Sequence, residues 1–141
     1  MASFSGSLAT GGRFDSSTAL GKVAMVNFWW AGCAPCRLEA PELQRMFARF
    51  GTHGVVFVGV NTRDDAAAAR SFEETFGVTY PSILDATSGA VQLSFANARP
   101  PRATPTTLVL DKTGRVAASV IGPVNAYVSA LDTVIPTLLR E

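Results

Sequence analysis

The chain's two cysteines, Cys33 and Cys36, stand together where an apolar run breaks at Gly32 and gives way to a helical pattern. The run begins Val23-Ala-Met-Val-Asn-Phe28. The pattern extends from Arg37 to Phe50, with Leu43, Met46, Phe47 and Phe50 spaced to share one face. A buried strand that turns sharply into a helix puts Cys33 at, or just before, the first helical turn. Backbone N–H groups there have no intrahelical partner, and the helix dipole favours negative charge. A thiolate is such a charge, and it is the reactive form of cysteine. The local pattern therefore predicts an acidic, reachable thiol at Cys33 and a more shielded one at Cys36.

The rest of the composition narrows what such a pair is for. A small fold stapled by disulfides needs more cysteines at wider spacing. A closed zinc site needs four ligands, and the only histidine is His53, read here as a surface turn residue. A redox-active pair with no further cofactor is the leading reading, with a metal carrier or a structural disulfide as its rivals. The 141 residues suffice for one domain with a proper core, and 48% hydrophobic against 16% charged residues fits a globular chain. A net charge of +1 with scattered basic residues argues against a nucleic-acid partner. No stretch reaches the roughly 18 apolar residues of a membrane span. The opening Met1-Ala-Ser-Phe-Ser-Gly-Ser7 is neither basic nor followed by an apolar core, so it is not a signal peptide. Either a cytoplasmic location or export with the signal or anchor outside this sequence fits.

In chain order, Thr10-Gly11-Gly12 marks a turn between two short segments, a marginal hairpin from Phe4 to Phe14. Ser16 to Leu20 reads as a helical turn. Val23 to Phe28, apolar on both faces, is expected at the centre of a sheet covered on both sides. Pro41 should kink the next helix unless the helix restarts there. Val55 to Val60 is a second buried strand, and Ala66 to Phe76 a helix stopped by Gly77. Tyr80 to Asp85 reads as extended, and Ala90 to Phe95 as a brief helix before the proline-rich loop from Asn97 to Pro105. Thr106 to Leu110, the turn Asp111-Lys-Thr-Gly114, and Val116 to Ile121 form a hairpin. Val124 to Leu139 closes the chain as a helix, with Pro136 the first residue of a separate last turn. This order calls for an α/β fold with a mixed sheet between helices.

Asn27-Phe-Trp29, Cys33-Ala-Pro-Cys36-Arg37, Glu39-Ala-Pro41, Tyr80-Pro81, Thr104-Pro105-Thr106-Thr107 and Asp111-Lys-Thr-Gly114 keep a familiar order and spacing. From about Phe14 to the C-terminus the chain resembles thioredoxin-like proteins of the TlpA/ResA type, related to DsbE/CcmG. The resemblance implies a single thioredoxin-like domain over residues 1–141, with an N-terminal β extension and an insertion at about Thr79 to Asn97. It implies a thiol–disulfide oxidoreductase that reduces extracytoplasmic protein disulfides, among them those of apocytochrome c. A membrane thiol donor would recharge a monomeric enzyme. The alternative within the same chemistry is a disulfide oxidase or isomerase of the DsbA/DsbE kind. A metal carrier or non-catalytic interaction domain is the alternative outside it.

The same resemblance assigns roles. Cys33 attacks a substrate disulfide and Cys36 resolves the mixed disulfide. Ala34 and Pro35 tune the pair and meet the substrate, and a proline fits the first helical turn, where its missing N–H has no partner anyway. Pro105 is expected in cis, with Thr104 offering backbone hydrogen bonds to an extended substrate. Asn27 occupies the place of thioredoxin's buried acid, so that proton acceptor is expected to be missing. Several TlpA/ResA-type proteins carry a glutamate just after the second strand; Asp64 falls nearest, with a helix cap as its other reading. The tryptophan usual before the first cysteine is Gly32 here, which predicts an open approach to Cys33. Trp30 either shields the site in its place or fills core. Arg99 and Arg102 flank Pro100-Pro101 and read as a solvated loop face, or as a greeting for an acidic partner.

Overall fold

The computed structural model describes residues 3–100 and 103–141, so Arg102 lies outside the described residues. The strand that delivers the cysteines, β3 (Ala24–Trp29), is buried at all six positions. It pairs in parallel with β4 (Val56–Asn61) and antiparallel with β6 (Thr106–Leu110). β5 (Ser82–Leu84) adds in parallel beyond β4, and β7 (Val116–Ile121) adds antiparallel beyond β6, giving the order β5-β4-β3-β6-β7. A central position removes both sheet faces from water, which is why β3 carries no polar alternation. The N-terminal hairpin of β1 (Ser5–Ser7) and β2 (Arg13–Asp15) docks on the β5 edge through a Leu8–Ile83 bridge and an Ala9 N–H donated to the Ser82 carbonyl at 3.0 Å. It covers an edge that would otherwise be open to pairing.

Side chains on β3 alternate between two cores, as strand geometry requires. Met25, with Phe57, Val109 and Val120, faces α1 (Ala34–Phe50) and α4 (Val128–Leu139), which supply Leu43, Met46, Phe50, Leu131, Ile135 and Leu138. Ala24, Val26 and Phe28, with Val58, Val60 and Leu108, face Phe4, Val91 and Phe95. Val91 belongs to the short helix α3 (Ala90–Ser94). A third cluster holds Trp29, Cys33, Cys36, Ala40, Ala69 and Phe72, between α1 and α2 (Ala66–Phe76). The site therefore sits at the end of the sheet where β3 and β4 finish.

α1 runs through Pro41 with no restart, the case in which a kink is expected, and the expectation that changes is that for Pro136. α4 likewise passes through Pro136 instead of beginning a last turn there, while the preceding Val124–Tyr127 is a 3₁₀ turn. Pro136 lies so near the helix end that the lost donor removes a single late bond, and the buried Ile135 and Leu138 hold the turn.

Gly59 shows how tightly β4 meets its neighbour. A Cβ there would overlap the Ser82 hydroxyl and approach the Trp29 Nε1 to 2.8 Å. Gly59→Ala should therefore cost about 1–3 kcal/mol. The measurement is a lower denaturant midpoint at unchanged slope.

Candidate active site

Cys33 is the N-cap residue of α1, in extended conformation, and Ala34 and Pro35 form the exposed start of the helix. The Cys36 N–H donates to the Cys33 Sγ at 3.2 Å, so a backbone donor meets the first sulfur. The two cysteines are joined as a disulfide, with Cα atoms 5.2 Å apart. Both are buried, Cys33 at 6% exposure and Cys36 at 2%. The difference has the expected sign but is small. Cys33 reaches solvent only at its edge, because packing at the strand end encloses what the helix start alone would leave open.

The turn from Trp30 to Cys33 is pinned on all sides. The Cys33 N–H donates to the Trp30 carbonyl at 3.2 Å, and Thr62 N–H donates to the Trp29 carbonyl at 3.0 Å. Ala31 is held at both ends: its N–H donates to Asp64 Oδ2 at 2.7 Å, and its carbonyl accepts from Arg37 Nε at 3.2 Å. Asp64 also accepts from Asn61 Nδ2 at 2.8 Å, while Asp65 caps α2 by accepting from Ala68 N–H at 2.9 Å. Asp64 is thus the clamp of the cysteine turn, and the cap reading belongs to Asp65.

Trp30 is half-buried, and its ring lies where a side chain at position 32 would go. The Arg63 guanidinium sits over that ring, 4.7 Å from its centre. The open approach expected from Gly32 is therefore occupied by Trp30, which stands beside the site without being part of the central core.

Asn27 is itself no acid, but a buried carboxyl from α1 meets it. Glu39 is 1% exposed. Its Oε2 accepts from Asn27 Nδ2 at 2.7 Å and its Oε1 from the Val124 N–H at 3.1 Å. Burial pushes its pKa from 4.5 up to about 7, against the opposing pull of those two donors. Asn27 also donates to Thr107 Oγ1 at 3.0 Å, which orients the amide. A small cavity of about 10 Å³ is lined by Asn27, Cys36, Trp29 and Tyr80 among others, so the amide that holds Glu39 and the second cysteine border one space. A periodicity signal existed: Cys36, Glu39, Leu43, Met46 and Phe50 recur at helical spacing, so a carboxylate lay on the buried stripe.

The register that pairs Phe28 with Thr106 brings Pro105 to the sheet end where β3 leads into the cysteines. The Thr104–Pro105 bond is cis. Arg99 corrects the solvated-loop expectation. It is 6% exposed, lies over the Phe28 ring at 4.4 Å, and donates from Nη2 to the Ala103 carbonyl at 2.8 Å. The Phe28 face and the Ala103 carbonyl replace part of the water that burial removes, and the remaining desolvation lowers the guanidinium pKa. His53 is exposed at the end of α1, in the turn where it was expected. Among the described residues no group of three or more His, Cys, Asp or Glu side chains is placed to hold a metal ion, and no helix is long and apolar enough to cross a membrane.

A mixed sheet flanked by helices, with a Cys-x-x-Cys disulfide at a helix start and a cis-proline at the same sheet end, defines a thioredoxin-like fold. The Redoxin family model matches residues 2–135, and the chain belongs to that family. The chain is 30% identical over 112 residues to the thiol-disulfide oxidoreductase ResA of Bacillus subtilis, a match covering 79% of this chain and 60% of the relative. It is 31% identical over 109 residues to the thiol:disulfide interchange protein HelX of Rhodobacter capsulatus, covering 77% and 57%. The chain thus spans about six-tenths of the length of the curated relatives it matches. Among solved structures, a thioredoxin-family thiol:disulfide interchange protein from Chlorobium tepidum aligns with a TM-score of 0.85 at 26% identity, over 98% of this chain and 94% of that one. A secreted thiol-disulfide isomerase from Corynebacterium glutamicum aligns at 0.84 and 32%, over 99% and 84%. The likeness to ResA and HelX supports the TlpA/ResA type for this chain.

Proposed function

We propose that this chain is a thiol–disulfide oxidoreductase working through Cys33 and Cys36, in the reducing direction. The observation that carries the reading is the disulfide at the start of α1 whose first sulfur accepts a backbone N–H. In the reduced protein the Cys33 thiolate attacks one sulfur of a substrate disulfide, and the other sulfur leaves as a thiolate. Cys36 loses its proton to the Glu39 carboxylate and attacks Cys33 Sγ, which expels the second substrate sulfur. The substrate gains two electrons and the protein returns to the disulfide. An external dithiol must then reduce Cys33–Cys36, and a membrane thiol donor is the source we favour.

Thr104 and the cis Pro105 present an edge for the extended substrate beside Cys33, with Trp30, Gly32, Ala34 and Pro35 as the surrounding surface. Asp64 serves by holding the turn. We read residues 1–141 as one monomeric domain with an insertion at about Thr79 to Asn97. An extracytoplasmic location draws support from the relative described as secreted. The substrates we favour are extracytoplasmic proteins, apocytochrome c among them.

Two measurements test the reading. The alkylation rate of Cys33 in reduced protein should reach half its plateau below the pH of about 8.5 that a free thiol shows. The protein should also catalyse reduction of a disulfide-bonded protein by excess dithiol. Stoichiometric zinc or copper in reduced protein, with no such catalysis, would establish a metal carrier instead.

A further inference from the structure

Beside the cysteine turn lies a cavity of about 390 Å³ lined by Thr62, Arg63, Gln92 and Thr104. Among the described residues that line it, Arg63 is the charged one. The guanidinium is exposed, stacks on Trp30, and takes part in no ion pair among the described residues, where the pairs formed are Arg45–Glu42 and Arg49–Asp132. The two nearest acids in sequence are engaged elsewhere: Asp64 holds Ala31 and Asn61, and Asp65 caps α2. Gln92 spends its amide N–H groups on Asp85. Thr62 and Thr104 line the same pocket and bring hydroxyl groups to it.

We propose that this pocket is a subsite for an acidic side chain of the polypeptide whose disulfide is attacked at Cys33. A cation with a hydroxyl beside it matches a carboxylate, and a guanidinium can meet both carboxylate oxygens at once. The pocket belongs to the substrate path, because Thr104 both lines it and precedes Pro105, and because the ring beneath Arg63 covers the residue just before Cys33. The inference rests on the oxidoreductase reading and adds the chemistry of the substrate: an aspartate or glutamate close in sequence to the reduced cysteine. Arg63 is then a specificity-determining residue.

The test uses extended peptides with one internal disulfide, carrying glutamate, glutamine or lysine two residues from a cysteine on either side. In each protein variant, kcat/KM for the charged peptides is divided by that for the glutamine peptide. Wild type should favour glutamate over lysine about fivefold at low salt, the scale of an exposed charge pair, with the preference shrinking as salt rises. Arg63→Glu should invert the order, and Arg63→Lys should keep it. A purely structural role for Arg63 predicts that Arg63→Glu slows all peptides by the same factor, and that result overturns the subsite. Turnover without charge preference in wild type also overturns the subsite and leaves the oxidoreductase reading intact. No turnover of any peptide overturns both.

Discussion

Cys33→Ser should lose turnover of any disulfide substrate, with a rate indistinguishable from the uncatalysed dithiol reaction. Cys36→Ser should instead stop after the first step and accumulate a mixed disulfide through Cys33. The asymmetry follows from the positions of the sulfurs. Cys33 caps α1 and its sulfur accepts the Cys36 N–H, which the Cys33 carbonyl shares, so its negative charge is met by a backbone donor and the helix dipole. Cys36 sits deeper, packed in the cluster with Trp29 and Phe72, where a substrate sulfur has less access. Mass spectrometry of each variant after challenge with oxidised substrate separates the roles. An adduct on Cys36 in Cys33→Ser, with none on Cys33 in Cys36→Ser, would reverse the assignment.

Glu39→Gln should slow the resolving step by about a hundredfold at pH 8, the usual scale for losing a positioned proton acceptor. The pH profile carries the sign. With its pKa pushed up to about 7, Glu39 is protonated in acid and becomes an acceptor only as pH rises through that value. Decay of the mixed disulfide in wild type should therefore accelerate through about pH 7. In Glu39→Gln that inflection should disappear, and an unchanged rate and profile would remove Glu39 from the mechanism.

The same carboxyl leaves a mark on stability. A folded-state pKa raised from 4.5 to about 7 means that the native protein holds a proton the unfolded chain has released across that window. Stability is then full below about pH 4.5 and falls as pH rises through 7, by up to about 3 kcal/mol for a shift of this size. Glu73, also buried and pushed up to about 7, acts with the same sign. Denaturation of the oxidised protein at pH 5 and pH 8 should show the decline. Glu39→Gln should lessen it, although the amide nitrogen must then face the Asn27 or the Val124 N–H donor and costs about 1–3 kcal/mol at both pH values.

Glu39 also shows where reading a chain by pattern stops. The helix from Arg37 was recognised by its apolar members, Leu43, Met46, Phe47 and Phe50, and α1 has those boundaries within one turn. Glu39 lies on the same stripe, but the meaning of a charged residue there depends on what it meets. It meets Asn27 from β3 and the Val124 backbone, 12 and 85 residues away. Asn27 alone suggested a missing acid; Asn27 with Glu39 is an acid supplied from the helix instead of the strand. Arg99 was misjudged for the same reason. Its surroundings in sequence, Asn97 to Pro105, read as a solvated loop, yet the side chain folds back over Phe28.

What the sequence by itself determined is whatever nearest neighbours along the chain control: the break between the strand and Cys33, the helix start at Cys33, the Gly77 stop of α2, and the turn before Val116. Those features follow from backbone sterics, periodicity and unpaired helix donors, all of which act over a few residues. Only the tertiary structure decided that Trp30 covers Gly32 beneath Arg63, that Asp64 clamps Ala31, and that Glu39 is buried against Asn27. Each depends on side chains from separate elements converging, and on burial that gives a carboxyl a pKa near 7. Local pattern carries no term for such convergence, because the energy of a buried polar group is set by the partners that the whole fold brings to it.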